Sequence, residues 1–322
     1  MTKGGPGHSS WINGPFGLGL KLVLTALVTW LILRGVGLQV GDIRAIDLAA
    51  FDVSAPWLML SLLLLFSAFA ASAWLWRGLV AALGGSRIPI KEALAIVLTS
   101  NLGRYIPGKL FQLAGLAWLS NRSGVRPSTA TAAAVLGQAL HLLAAALIGG
   151  GLVTQSGAIP GRWGIGGLTL VLLFALVLSW KGGLAKFTGW ILKRRNEEGP
   201  SALGEVSFMP WLAGYAANWI VLGLAFFALM KGIGVDTSLT LAVTAFAAAY
   251  LLGYLTLFAP AGIGVREGFL VVFLGPAIGQ SPALAVAAAQ RLWITVAELA
   301  GALIGWPALR GQAGPQEEGA GP

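Results

Sequence analysis

Taken as an alternation of apolar and polar positions, the chain falls into long hydrophobic runs joined by short polar connections. The runs cover about Phe16–Leu33, Pro56–Trp76, Thr129–Val153, Gly164–Trp180, Phe208–Met230, Leu239–Leu257 and Pro282–Trp306. Each is close to the roughly 20 residues that an α-helix needs to cross a hydrocarbon core of about 30 Å. None shows the period-two alternation of a barrel strand. The pattern therefore predicts an all-α fold, a polytopic bundle of transmembrane helices.

Two stretches depart from the pattern. Between Lys91 and Ser120, two apolar pieces too short to cross flank the break Asn101-Leu-Gly-Arg-Tyr-Ile-Pro-Gly-Lys109. Later, Phe258-Ala-Pro-Ala-Gly-Ile-Gly-Val-Arg-Glu-Gly-Phe-Leu270 puts Arg266 and Glu267 into a glycine-rich interruption, followed by a short apolar piece over Phe269–Leu274. Broken or re-entrant helices have this form, and a pair of them in two halves of a transporter points to the binding site. A faint internal repeat pairs them. Pro107-Gly-Lys and Gln112, then Ala132-Ala-Ala-Val-Leu-Gly-Gln138, resemble Pro260-Ala-Gly and Glu267, then Ala285-Val-Ala-Ala-Ala-Gln290. Chance likeness between Ala/Leu-rich segments is the competing account.

If both broken segments re-enter, the Lys/Arg clusters at 77–91, 122–126 and 181–195 share one side, expected to be cytoplasmic. That gives seven spans with the amino terminus inside, or eight spans if one broken segment crosses. Residues 1–15, rich in Gly, Ser and Pro, are expected to be a mobile amino terminus; 16–306 form a single transmembrane domain, and 307–322 a disordered polar tail.

Composition agrees with this reading: 57% of residues are hydrophobic and only 10% charged, far below the roughly 25% of soluble domains. The net charge of +9 is not a nucleic-acid footprint, because the basic residues sit at the ends of apolar runs. With no cysteine and two histidines, the chain offers no thiolate nucleophile, no metal cluster and no Ser/His/Asp arrangement. No cofactor and no catalytic residue are expected.

The candidate chemistry lies in the breaks. Each puts a proline or glycine just before a short helix, whose free N–H groups suit an anion. Arg104, Lys109 and Arg266 are the cations placed to engage a phosphate; the competing account is that they snorkel to an interface. Glu267 either couples to protons or balances Arg104, Lys109 or Arg291. Arg266 and Glu267, adjacent at a helix start, cannot point the same way. Asn101, Gln112, Gln138, Gln290 and Arg291 complete the expected binding set, with Pro107, Gly108, Pro260, Gly262 and Gly264 shaping the breaks. Arg291 and Glu298 are seven apart and share a face. His141 reads as a packing residue. The glycines at 262, 264 and 268 miss the dinucleotide spacing, and helix packing explains them better.

At these motifs the chain resembles the family named for the transmembrane region of lysylphosphatidylglycerol synthase, also described as flippase-like membrane proteins. The resemblance rests on Asn101–Lys109, on Gly124-Val before the Ala132–Gln138 span, and above all on Ala259–Gly268. It covers roughly residues 16–306. The family's first motif usually continues into Gly-Glu, where this chain has Phe111-Gln112. The resemblance implies movement of a modified or anionic lipid between leaflets, in a bacterial inner membrane. It does not carry over the synthase reaction, since only a short tail follows Trp306. The expected function is that of a lipid flippase or transporter with membrane lipids as partners. The alternative is an accessory subunit for a lipid-modifying enzyme or glycosyltransferase.

Overall fold

The computed structural model describes residues 52–105, 110–155, 207, 209–256 and 262–310. The expected spans Phe16–Leu33 and Gly164–Trp180, the basic cluster at 181–195, both termini, and Pro107, Gly108, Lys109 and Pro260 lie outside the described residues. The described chain is all-helical: α1 Ala55–Ala82, α2 Ile90–Asn101, a 3-10 turn Leu102–Tyr105, α3 Leu110–Arg122, α4 Pro127–Gln155, α5 Met209–Gly232, α6 Leu239–Leu255, α7 Val265–Ile278 and α8 Gln280–Arg310.

Among the described residues, four helices are long and apolar enough to cross a membrane: Ala55–Ala82, Pro127–Val153, Met209–Gly232 and Gln280–Pro307. Their outer faces are greasy. Met59, Leu292, Leu303 and Ile304 are each about two-thirds or more exposed, at 72%, 68%, 74% and 72%. Water would penalise such a surface, and hydrocarbon does not. Small residues let the helices approach closely. A Cβ on Gly149 of α4 would come 2.5 Å from the Ala248 nitrogen of α6, so the two backbones meet where only glycine fits. Buried hydroxyls and amides add ties between α1 and α5: Ser61 Oγ donates to the Ala225 carbonyl at 2.7 Å, and Asn218 Nδ2 donates to Ser72 Oγ at 2.9 Å.

The short helices form two hairpins that enter the bundle from opposite ends. At one end, the connection before α2 touches the connection after α3, where Ser86 Oγ donates to the Gly124 carbonyl at 2.9 Å. Helix α2 therefore runs inward, breaks near Asn101, and α3 returns to the end it came from. The described basic residues Arg77, Arg87, Lys91, Arg122 and Arg126 gather around that end. Helix α6 begins at the other end, where α5 finishes and Lys231 is bonded to Asp236. It runs inward to Leu255, and α7 leads back from Gly264 to the start of α8.

Helix α8 then crosses antiparallel to α2, with Gly301 against Leu98 and Gly305 against Ala95. This register brings Thr295 and Glu298 beside the first break. The sequence counts Leu239–Leu257 as a full span. Its helix stops at Leu255 and is about 25 Å long, shorter than the four long helices, because the glycine-rich turn that follows packs back on Gly253.

Two glycines in the second break are required by backbone shape. Gly262 and Gly264 have φ of 67° and 80°, values that side chains with a Cβ disfavour. A Cβ on Gly262 would also lie 3.0 Å from the Gly253 carbonyl oxygen. Close packing is thus part of the role of Gly262, and the left-handed turn of both glycines is the part the sequence did not anticipate.

Candidate functional site

The two breaks converge on the middle of the bundle. The 3-10 turn carries Arg104 and Tyr105 to α8. There Arg104 Nη1 donates to Glu298 Oε1 at 2.6 Å, and the Tyr105 hydroxyl donates to Glu298 Oε2 at 2.7 Å. Glu298 is 1% exposed, so both its oxygens are satisfied by protein donors in place of water. On its other side, Arg104 Nη2 donates to Asn101 Oδ1 at 3.0 Å, and that oxygen also accepts from Gln112 Nε2 at 2.9 Å. Asn101 is the last residue of α2 and Gln112 lies in the first turn of α3. One amide oxygen thereby joins both arms of the hairpin to the arginine.

From the second break, Arg266 and Glu267 take different directions. The Arg266 guanidinium stacks over the Phe246 and Tyr250 rings of α6, at 4.7 and 5.3 Å from their centroids. It is 4% exposed, yet its Nε and Nη2 have no partner among the described residues. Glu267 folds back on its own helix start. Its Oε2 accepts from the Gly264 amide at 2.6 Å, and its Oε1 lies 3.6 Å from Arg291 Nη1.

This alters one expectation. One amide at the start of α7, that of Gly264, is occupied by the helix's own carboxylate, and the cation of this break that lines the cavity is the Arg266 side chain. Gly253 makes the approach possible, since a Cβ there would sit 2.9 Å from Arg266 Cβ.

Arg104 and Arg266 face a common cavity of about 140 Å³, well above the ~10–15 Å³ that one water needs. Gln112, Asn101 and Gln138 contribute its other polar groups. Gln138 Nε2 also lacks a partner among the described residues. The opposite wall is aromatic. His141 stacks on Trp219 with ring centroids 4.7 Å apart, and Trp219 Nε1 donates to the His141 carbonyl at 2.8 Å. Tyr215 and Tyr250 meet the His141 ring edge-on. A smaller side cavity of about 40 Å³ shares Arg104, Gln112, Tyr250 and Arg266 and extends toward Gly262.

Three residues of the expected binding set lie apart from this lining. Glu267 and Arg291 pair with each other, and Arg291 stacks on the outer face of the site's scaffold, 5.4 Å above the Tyr105 ring. Gln290 is fully buried with its amide unpartnered among the described residues, and it lines neither cavity. Sequence reasoning missed Tyr105 and the aromatic wall. Tyr105 was within the first motif, and only its contact with Glu298 distinguishes it from an ordinary interfacial tyrosine. Among the described residues, no group of three or more metal-binding side chains comes together.

The family described as the lysylphosphatidylglycerol synthase TM region matches residues 18–301. The chain belongs to this family. The match runs through every described helix and both breaks, as the motif resemblance implies. No curated protein sequence matches the chain. Membership and the apolar exterior together make this a multi-pass membrane protein of a lipid-related family, in contact with membrane lipids.

Proposed function

We propose that the protein is a non-catalytic lipid transporter of flippase type, resident in a bacterial inner membrane with its basic end toward the cytoplasm. Its two hairpins are read as re-entrant, and an anionic lipid head group is held where they meet. Arg266 engages the phosphate from one hairpin. Arg104, oriented by Asn101 and Gln112, presents a second cation from the other, and Gln138 lies on the path. Transport then follows from rocking of one hairpin and its neighbouring long helices against the other, around a fixed central site.

The observation that carries this reading is that Arg266 has no partner for its Nε and Nη2 among the described residues. An isolated buried charge costs several kcal/mol, so a protein retains one at 4% exposure where a ligand offsets the cost. Membership in a lipid-related family supports the choice of a lipid as that ligand.

The test is leaflet exchange in reconstituted vesicles. Fluorescent lipids with anionic head groups should cross faster with the protein than in empty vesicles, and Arg266→Gln should return the rate to that of empty vesicles. Exchange no faster than in empty vesicles for every anionic head group, with a stoichiometric membrane enzyme co-purifying, would instead support the accessory-subunit alternative.

A further inference from the structure

Among the described residues, which do not include Lys109, the charges around the two breaks can be paired off one by one. Arg104 is cancelled by Glu298, and Arg291 by Glu267. Arg266 is left over among the described residues, with no carboxylate within ion-pair distance. Phenol and imidazole groups, with ordinary pKa values of about 10 and 6.5, add no charge at the pH 8 of the test below. Among the described residues the cavity therefore presents one net positive charge, although two arginines line it. Glu298 makes the difference, and it is firmly held. It is 1% exposed, gripped by Arg104 and Tyr105, and carried on a full-length helix rather than on a hairpin.

We propose that Glu298 sets the charge class of the ligand: by cancelling Arg104 it matches the site to a singly charged phosphodiester and disfavours a doubly charged phosphomonoester. This rests on the head-group reading above and narrows it. A phosphodiester brings one negative charge against one positive, with several acceptor oxygens for the unpartnered donors Arg266 Nε, Arg266 Nη2 and Gln138 Nε2. A phosphomonoester would bring a second charge into a buried site, with amides and rings around it and no further cation among the described residues to meet it. Displacing Glu298 from Arg104 would free a cation only by stranding a buried carboxylate.

The experiment measures binding to the purified full chain by ligand-dependent thermal stabilisation. The probes are dihexanoyl-phosphatidylglycerol and dihexanoyl-phosphatidic acid at pH 8, where a monoester with second pKa of roughly 6 is dianionic. The wild type should bind the diester at least ~10-fold tighter, a modest figure for one uncompensated charge in a partly screened site. Glu298→Gln leaves two net charges and should shift the preference toward the monoester. If that variant does not fold, Gln112→Glu decides the matter. It adds a carboxylate to the cavity wall and should weaken diester binding ~10-fold or more.

Equal binding of the two lipids by the wild type, or a preference that neither variant alters, overturns the charge-class proposal and leaves the head-group site standing. Binding of neither lipid removes the head-group site as well. Glycerophosphoglycerol, the diester without acyl chains, separates the two possible sources. Weaker stabilisation than by the lipid assigns the site to lipid head groups, and equal stabilisation assigns it to soluble phosphodiesters of the same charge.

Discussion

Arg104 and Glu298, 194 positions apart in sequence, meet at 2.6 Å and tie the broken first hairpin to the last helix. The pair is asymmetric: the carboxylate is 1% exposed, while the guanidinium is 24% exposed and opens onto the cavity. Breaking it from either side leaves a charge without its counterion, and the cost depends on which charge remains. Glu298→Ala leaves Arg104, which the cavity partly solvates. Arg104→Ala leaves Glu298 with Tyr105 alone.

Arg104→Ala should therefore be the more damaging substitution, at about 3–5 kcal/mol, with Glu298→Ala nearer ~2 kcal/mol. The Arg104→Ala, Glu298→Ala double variant should recover a large part of the loss, because no unpaired charge remains. Unfolding in detergent, analysed as a double-mutant cycle, measures the coupling. Additive effects would show that the pair is incidental to stability.

Arg266 should behave in the opposite way. Its burial is not offset by a carboxylate among the described residues, so Arg266→Met removes a cost and sacrifices only ring stacking worth about 1–2 kcal/mol. We expect an unchanged or raised Tm together with loss of anionic-lipid exchange. A large fall in Tm would mean that the guanidinium is structural, and the functional assignment would lose its main support.

How much of this was legible in the sequence depends on the kind of signal. The two breaks announce themselves because proline, glycine and charge interrupt apolar runs, and Arg266 stands out because arginine is costly at that depth. The wall built from His141, Tyr215, Trp219 and Tyr250 was not legible. Helices α4, α5 and α6 are apolar all round, so nothing in their pattern says which face turns inward and which meets lipid. The division of labour between Arg266 and Glu267 was legible only as a question, since the left-handed glycine at 264 that lets Glu267 reach back to its own helix start is a backbone property. Gln290 and Arg291 lie outside the two cavities, a placement the apolar pattern of their helix does not disclose, since each residue turns about 100° from the last.

The contact between Gly253 and Arg266 leads to a steric prediction. Any side chain at 253 must displace the start of α7, because a Cβ there would lie 2.9 Å from Arg266 Cβ and 3.3 Å from its Cα. Gly253→Val should cost about 1–3 kcal/mol through overpacking and reduce lipid exchange by moving Arg266. Gly262→Ala, strained chiefly through its φ of 67°, should cost about 1–2 kcal/mol. Unfolding and exchange assays on the two variants separate the effects; full exchange by Gly253→Val would show that the position of Arg266 is not critical.

Glu267 provides the test that separates a structural carboxylate from a proton-coupling one. Its two oxygens are engaged by the Gly264 amide and, more loosely, by Arg291, and it lies outside both cavities. Glu267→Gln keeps the shape and an amide oxygen able to accept from Gly264, while giving up the charge-assisted part of the cap and the ion pair. The expected loss is about 1–2 kcal/mol of stability. Lipid exchange per folded molecule should persist, with a pH dependence parallel to the wild type, because no ligand contact has been removed. Exchange that becomes independent of pH, or of an imposed proton gradient, in the Gln variant alone would transfer the proton-coupling role to Glu267 and require the second hairpin to carry both cation and proton.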